Sequence, residues 1–472
     1  MIVCAAVAAH SQTLNTITTF DVTNGALPWN AALTQGVDGN LYGTTQSGGL
    51  TNEGTVFKVS LPGGALTTIY NFCAQANCAD GLEPYAGLVL ATDGNFYGTT
   101  WIGGASGPGT VFRITPQGAL TTIYSFCTQP NCSDGGFPEA ALIEGSDGNL
   151  YGTTSAGGNA GCANGGCGVA FRISLSGEMT ILYSFCSLQN CADGSFPVGG
   201  LIQATDGNFY GTTSTGGLFH DGTVFRITQN GQFSTLYNFK AYSGASPRAG
   251  LIQGADGNLY GATAGGGGPG CNAAACGTIF KITPSGSFAK LFSFDGGSDG
   301  GLASGGLIQA TDGNLYGTSQ AGGFQNDGTI FQITTAGALT RLHSFDFDDG
   351  AFPQSSLLQG TSGAFYGMTN DGGENCIDSS EGCGTIFKLS TDLGPFVAFV
   401  RNLGKVGQSA GILGQGFTGA TSVSFNGIPA AFIVRRDTFL TATVPAGATT
   451  GYVTVTTPTG TLTSNVKFNV LP

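Results

Sequence analysis

Residues 93–126 read DGNFYGTTWIGGASGPGTVFRITPQGALTTIYSF, and the same phrase returns along the whole chain. Its opening words are DGNLYGTT from Asp38, DGNFYGTT from Asp93, DGNLYGTT from Asp147, DGNFYGTT from Asp206, DGNLYGAT from Asp256, DGNLYGTS from Asp312 and SGAFYGMT from Ser362, spaced 50 to 59 residues apart. Self-similarity at this period marks a repeat architecture in which one unit is one supersecondary element. Each unit carries four strand signals in order; in the second they are AGLVLAT, NFYGTT, GTVFRIT and ALTTIYSF. Asp-Gly-Asn joins the first two, because these residues accept the positive φ of a tight hairpin. Turns such as TPQG, TQNG and TPSG join the third to the fourth. A four-stranded blade cannot bury both faces by itself, whereas a closed ring of blades buries both.

The expected fold is therefore all-β: a seven-bladed β-propeller over residues 13–391, followed by a smaller β-sandwich over 396–472. Tyr42, Tyr97, Tyr151, Tyr210, Tyr260, Tyr316 and Tyr366 fill one site of the second strand, and Phe57, Phe112, Phe171, Phe225, Phe280, Phe331 and Phe387 one site of the third. These rings are the expected contacts between blades. The seventh unit breaks at Asp392-Leu393-Gly394-Pro395 without a fourth strand, while Leu14 to Phe20 (LNTITTF) aligns with LTTIYNF of the first unit. The N-terminal segment is expected to complete the last blade.

Charged residues make up 9% of the chain and Gly numbers 82, a composition suited to closed all-β folds rather than disorder. A net charge of −13 with only 15 Lys and Arg excludes a nucleic-acid partner, which needs clustered cations. Met1 to Thr13 (MIVCAAVAAHSQT) resemble the end of a secretory signal, with Ala9-His10-Ser11 suited to cleavage. Residues 1–12 are read as its remnant, with a truncated or misassigned start because no basic segment precedes it. No later stretch is apolar enough for a membrane span. Secretion or cell-surface exposure, as a monomer, is the expectation. The cysteines beyond Cys4 fall into six close pairs, Cys73/Cys78, Cys127/Cys132, Cys162/Cys167, Cys186/Cys191, Cys271/Cys276 and Cys376/Cys383. Even parity and local pairing point to disulfides in an oxidising compartment, and the spacing is wider than the paired Cys-x2-Cys of structural zinc.

The run DGNxYGTT, GTVFxI and LTTIYSF resembles the tandem GloVer-type repeats of secreted bacterial proteins. At greater distance it resembles two-component-regulator and streptogramin-lyase propellers, where DGNxW stands for DGNxY. The resemblance covers about residues 14–391, and all seven copies carry it. It implies extracytoplasmic placement and no settled activity. Residues 396–472 alternate as strands in SAGILGQGF, TSVSFNG, AAFIV, FLTATVPAG, GYVTVTT and NVKFNVLP. Through GQGFTGATSVSFNG and TVPAGATTGYVTVTTPTG they resemble an IPT/TIG immunoglobulin-like domain, which implies a spacer or contact module. The DNA-binding relatives of that domain use basic loops, whereas Arg401, Lys405, Arg435, Arg436 and Lys467 are its only cations here.

Function is expected on the face that collects the second-to-third loops and inter-blade connections, since these carry every length variation and all paired cysteines. Trp29, Tyr85, Glu139, Arg248 and Gln354 follow the inter-blade proline and differ from blade to blade, and Trp101 follows the second blade's second strand. Trp29, Tyr85, Trp101, Glu139 and Arg248 are the candidate ligand contacts, as exposed aromatics and charges suited to an extracellular glycan or protein. The alternative is a lyase or glycoside-acting hydrolase at the channel. No nucleophile, base and orienting group share a pattern, so no catalytic residue is assigned. His343 stands where other units have Tyr or Phe, and His220 stands alone beside Asp221. Asp80, Asp134, Asp193, Asp299 and Asp349 each precede Gly and read as turns. No Asp-x-Asp-x-Asp cluster suggests calcium, and no metal or cofactor is expected.

Overall fold

The computed structural model describes residues 12–158, 167–268, 276–373 and 383–471. Apart from Gln12, the expected signal remnant lies outside them. The chain is all-β and propeller-like. In the first four-stranded antiparallel sheet Thr34–Gln35, Leu41–Thr45, Thr55–Val59 and Leu66–Asn71 pair in sequence order, and five further sheets repeat that order. The last sheet of residues 13–390 differs, because Thr13–Thr19 pairs along Thr385–Ser390, with Thr13 opposite Ser390 and Thr19 opposite Thr385. Apolar clusters join each sheet to the next, and one carries Phe20, Leu41 and Phe57 against Tyr366, Met368 and Ile386, linking the last sheet to the first. Among the described residues no helix is long and apolar enough to cross a membrane.

The repeated Tyr-Gly has a steric purpose. Gly211 lies opposite Phe225 on the neighbouring strand, and a Cβ there would sit 2.6 Å from the tip of the Phe225 ring. Gly43, Gly98, Gly261, Gly317 and Gly367 face the same intrusion from Phe57, Phe112, Phe280, Phe331 and Phe387. The phenylalanines are fully buried, and so are Tyr97, Tyr151, Tyr210 and Tyr260 beside the glycines. Each tyrosine hydroxyl must then find an acceptor. Tyr97 donates to Asp93 at 2.8 Å and Tyr210 to Asp206 at 2.7 Å, while Asn95 and Asn208 donate to the same carboxylates. Burial, then the adjacent carboxylate, pushes these phenols well above their ordinary range. The hairpin Asp is thus both turn residue and phenol anchor.

On the hairpin face a side-chain belt ties neighbouring sheets. The amide oxygens of Gln203, Gln253, Gln309 and Gln359 accept the N–H of Ser146, Thr205, Ala255 and Thr311 at 2.8–3.1 Å, and Gln35 accepts that of Thr361 at 3.1 Å. Two positions break the pattern. Leu90 occupies the belt site in the second sheet, and Glu144 in the third, where it accepts the Thr92 N–H at 2.8 Å.

The C-terminal unit docks on those two departures. It consists of two four-stranded sheets around Ile412, Phe417, Val423, Leu440, Val455 and Phe468, plus a parallel pair of Leu403–Lys405 with Asn469–Leu471. Leu413, Val400 and Phe439 pack into the cluster holding Leu90 and Tyr42. Arg401 reaches Glu144 at 3.4 Å, with the two side chains 14% and 3% exposed. The Thr438 hydroxyl donates to the Val37 carbonyl at 2.8 Å, and the Phe396 N–H to Thr361 at 3.0 Å.

The opposite face carries the bridged loops. Cys73–Cys78, Cys127–Cys132 and Cys186–Cys191 are disulfides. Cys167, Cys276 and Cys383 are also disulfide-bonded, while Cys162, Cys271 and Cys376 lie outside the described residues. The Asp-Gly in these loops is more than a turn. Buried Asp80 accepts from the Tyr70 hydroxyl at 2.7 Å and from the N–H groups of Ala74 and Gln75 at 2.9 and 3.1 Å, and Asp134 and Asp193 repeat the arrangement. His343 substitutes for the tyrosine, its Nε2 lying 2.8 Å from Asp349. In the fifth unit Phe292 supplies no hydroxyl, and Asp299 faces Asp295, whose N–H it accepts at 3.1 Å. Burial, then the shared hydrogen bond with Asp295, raises Asp299 to about 7.

Three outcomes follow from these contacts. Gly211→Ala should cost about 1–3 kcal/mol by overpacking, measured as a shift in denaturant midpoint at constant slope. Asp299 is raised above its ordinary value of 3.8, so its favourable contribution is complete below that value and is lost as pH rises through about 7. Asp299→Asn should therefore gain melting temperature relative to wild type at pH 8 and not at pH 3.5. Glu144→Gln keeps the belt acceptor but strips Arg401 of its counter-charge, and removing one partner of a buried pair costs up to about 3–5 kcal/mol. Limited proteolysis should then cut faster at the Asp392–Pro395 connection, and an unchanged rate would show that docking does not rest on this pair.

Candidate functional site

The loop face is built on a repeated backbone distortion. The residue before each inter-blade proline has positive φ: Leu27 51°, Glu83 53°, Phe137 56°, Phe196 54°, Ser246 50° and Phe352 54°, and Leu302 before Ala303 has 52°. None is glycine, and such a conformation costs roughly 1–3 kcal/mol unless its surroundings enforce it. Backbone hydrogen bonds do so here. The Glu83 N–H donates to Glu53 at 2.9 Å while its carbonyl accepts the Trp101 N–H at 3.0 Å; Phe137 donates to Pro108 at 2.8 Å and accepts from Ser155 at 3.1 Å. The result is three sets of neighbouring side chains per sheet: the pre-proline residue, the post-proline residue, and the residue after the second strand. Sequence reading found the second set and Trp101 but missed the first. Its available signal was the Xaa-Pro step itself, repeated with Leu, Glu, Phe and Ser as Xaa.

Trp29, Tyr85 and Trp101 come together and recruit Phe137. Ring centroids lie 6.1 Å apart for Trp29 and Tyr85, 4.9 Å for Tyr85 and Trp101, and 5.6 Å for Trp101 and Phe137. The rings are tilted or edge-on to one another, and Trp29, Tyr85 and Trp101 are half-buried rather than exposed. The expectation of exposed aromatics is corrected in this respect: mutual packing takes up part of each surface. The Tyr85 hydroxyl accepts from Gln46 Nε2 at 3.0 Å, and burial, then Glu83 and Glu139, raises its pKa.

Glu139 and Arg248 belong to a different part of the face. With Asn30, Ser304 and Gln354 they line a cavity of about 180 Å³ at the centre of the ring of sheets, whose walls are mainly Gly, Ala and Leu. Burial raises the Glu139 pKa, partly offset by the Ser155 hydroxyl and the charge of Arg248. Arg248 is exposed and makes no hydrogen bond or ion pair among the described residues. At its inner end the cavity reaches Ile143 and Ile202, which also line a second cavity against Ala398–Leu403 of the C-terminal unit.

This geometry can hold a polar ligand by hydrogen bonds at the mouth and an apolar surface beside it. Among the described residues the sulfurs of Cys167, Cys186 and Cys191 lie within 4.8 Å of one another. Cys186 and Cys191 are bonded to each other and Cys167 is disulfide-bonded, so these sulfurs are not available as thiolate ligands.

The chain matches the Gloeobacter/Verrucomicrobia repeat in three overlapping stretches, residues 5–164, 74–272 and 160–387. No curated protein matches it in sequence. Among solved structures it is similar to a gluconolactonase from Xanthomonas campestris, with 12% identity and a TM-score of 0.39 over 82% of this chain and 93% of that one. It is also similar to a structural genomics protein of unknown function from Bacteroides thetaiotaomicron, with 15% identity and a TM-score of 0.41 over 81% and 76% of the two chains. A luciferin-regenerating enzyme gives 12% identity and a TM-score of 0.41 over 82% and 98%. The repeat matches span nearly all of the propeller-like part, and the chain belongs to the Gloeobacter/Verrucomicrobia repeat family.

Proposed function

We propose that this chain is a secreted or cell-surface binding protein that holds an extracellular glycan on its disulfide-bearing loop face. In this reading residues 13–391 form a closed seven-bladed β-propeller, and 396–472 an IPT/TIG-type immunoglobulin-like unit that caps its other face. Support for the architecture comes from the last sheet's use of Thr13–Thr19, from the cluster joining last sheet to first, and from the two-sheet core of the C-terminal unit. Local disulfides suit an oxidising compartment. The single observation that carries the function is the run Trp29–Tyr85–Trp101–Phe137 next to a polar channel mouth. Aromatic rings give sugars an apolar face to rest on, and the mouth offers donors and acceptors for hydroxyls.

A protein ligand is the second reading, favoured by the exposed Leu50, Leu188, Leu218, Phe219, Tyr242, Phe324 and Phe347 in loops of the same face. The enzymatic alternative, a lyase or glycoside-acting hydrolase at the channel, would draw on Glu139, since a carboxyl raised by burial suits a general acid. The groups acting on Glu139 are Ser155 and Arg248 rather than a second carboxylate.

A glycan array identifies the ligand class, and Trp29→Ala with Trp101→Ala tests the site. The double variant should lose at least tenfold in affinity, equivalent to about 1.4 kcal/mol, while retaining a cooperative melting transition. Undiminished binding would move the site elsewhere on the molecule, and product release from an incubated polysaccharide would favour the enzyme.

A further inference from the structure

Several cations of this acidic chain are engaged. Lys58 pairs with Asp38 at 2.7 Å and Arg401 with Glu144 at 3.4 Å, and Lys290 donates to the Gly267 and Tyr242 carbonyls at 2.7 and 3.0 Å. Lys240 and Arg341 sit over Phe219 and Phe324 at 4.3 and 4.0 Å. Arg248 lines the central cavity, where its charge acts on Glu139, and its guanidinium has no hydrogen-bond acceptor among the described residues. Five fixed donors in a concave polar site are matched by a group from outside.

Resting on the glycan reading above, we propose that the channel mouth selects an acidic saccharide, with Arg248 taking the carboxylate of a uronate whose neighbouring sugars lie along Trp29, Tyr85, Trp101 and Phe137. The planar guanidinium matches a carboxylate through two parallel hydrogen bonds. A cavity of about 180 Å³ is smaller than the roughly 300–1,000 Å³ of sites that swallow a whole drug-sized ligand. It admits one terminal residue, and the remaining sugars must lie outside, where the aromatic run is. Ser304, Gln354 and Asn30 converge on the same space and suit the ring hydroxyls. Glu139 shares the cavity, and burial raises its pKa against the lowering effect of Ser155 and Arg248.

Calorimetric titration with a uronate trisaccharide, its fully methyl-esterified form and a sulfated, uronate-free trisaccharide tests the assignment. Wild type should bind the uronate at least tenfold more tightly than the ester. Arg248→Gln should bring that ratio close to one by weakening the uronate far more than the ester. Arg248→Lys keeps charge without the fork and should restore only part of the preference. The Trp29→Ala, Trp101→Ala variant should weaken both ligands together. A preference that survives in Arg248→Gln, or a wild type that takes the ester or the sulfated sugar as tightly as the uronate, overturns the carboxylate assignment. Wild type that binds none of the three overturns the glycan reading beneath it.

Discussion

Everything in the propeller-like part depends on a phenylalanine ring entering the space that a glycine leaves on the adjacent strand. Gly211 and Phe225 are cross-strand partners, and the ring tip comes so close that no side chain fits at the glycine. The contact locks the register of the second and third strands, because sliding by one residue would bring the ring against Tyr or Thr. It also sets the depth of the neighbouring tyrosine and so the position of its hydroxyl, which donates to the hairpin Asp. Loop length does not enter this constraint: Gly152 and Phe171 meet as Gly98 and Phe112 do, although the loop between them is longer. Variation is thereby exported to one face.

What the sequence disclosed was whatever the period repeats. Seven tyrosines and seven phenylalanines at fixed offsets announce a shared core, and a leftover strand at one end with a missing strand at the other announces a closure. What it concealed was whatever the period breaks. Leu90 and Glu144 look like ordinary scatter at a position otherwise held by Gln, and only the structure ties them to Leu413 and Arg401, which are hundreds of residues away. Long-range docking of this kind leaves no local pattern to read. For the candidate site, the inter-blade proline identified Trp29, Tyr85, Glu139 and Arg248, but not that the first two pack together while the last two share a cavity. The run continues from Trp101 onto Phe137, whose left-handed backbone is hidden in an unremarkable Phe-Pro.

The loop face combines a costly backbone with interchangeable side chains. Leu, Glu, Phe and Ser all take the same left-handed conformation, because main-chain hydrogen bonds from the preceding and following segments hold it. The backbone conformation at those positions therefore does not depend on which side chain stands there. The bridged loops do the same at the rim, where Asp80 and its counterparts gather N–H groups whatever residues lie between the cysteines.

In the proposed architecture the C-terminal unit, whose Ala398–Leu403 segment meets Ile143 and Ile202 of the cavity lining, would make the central channel a dead end. A tube open at both ends can thread a polymer and slide along it, gripping any internal stretch. A stoppered tube can take only a terminus. Occupancy of such a cavity would scale with the number of chain ends in a sample rather than with its mass, so trimming a long polymer into short pieces would multiply the sites available without adding a single new residue.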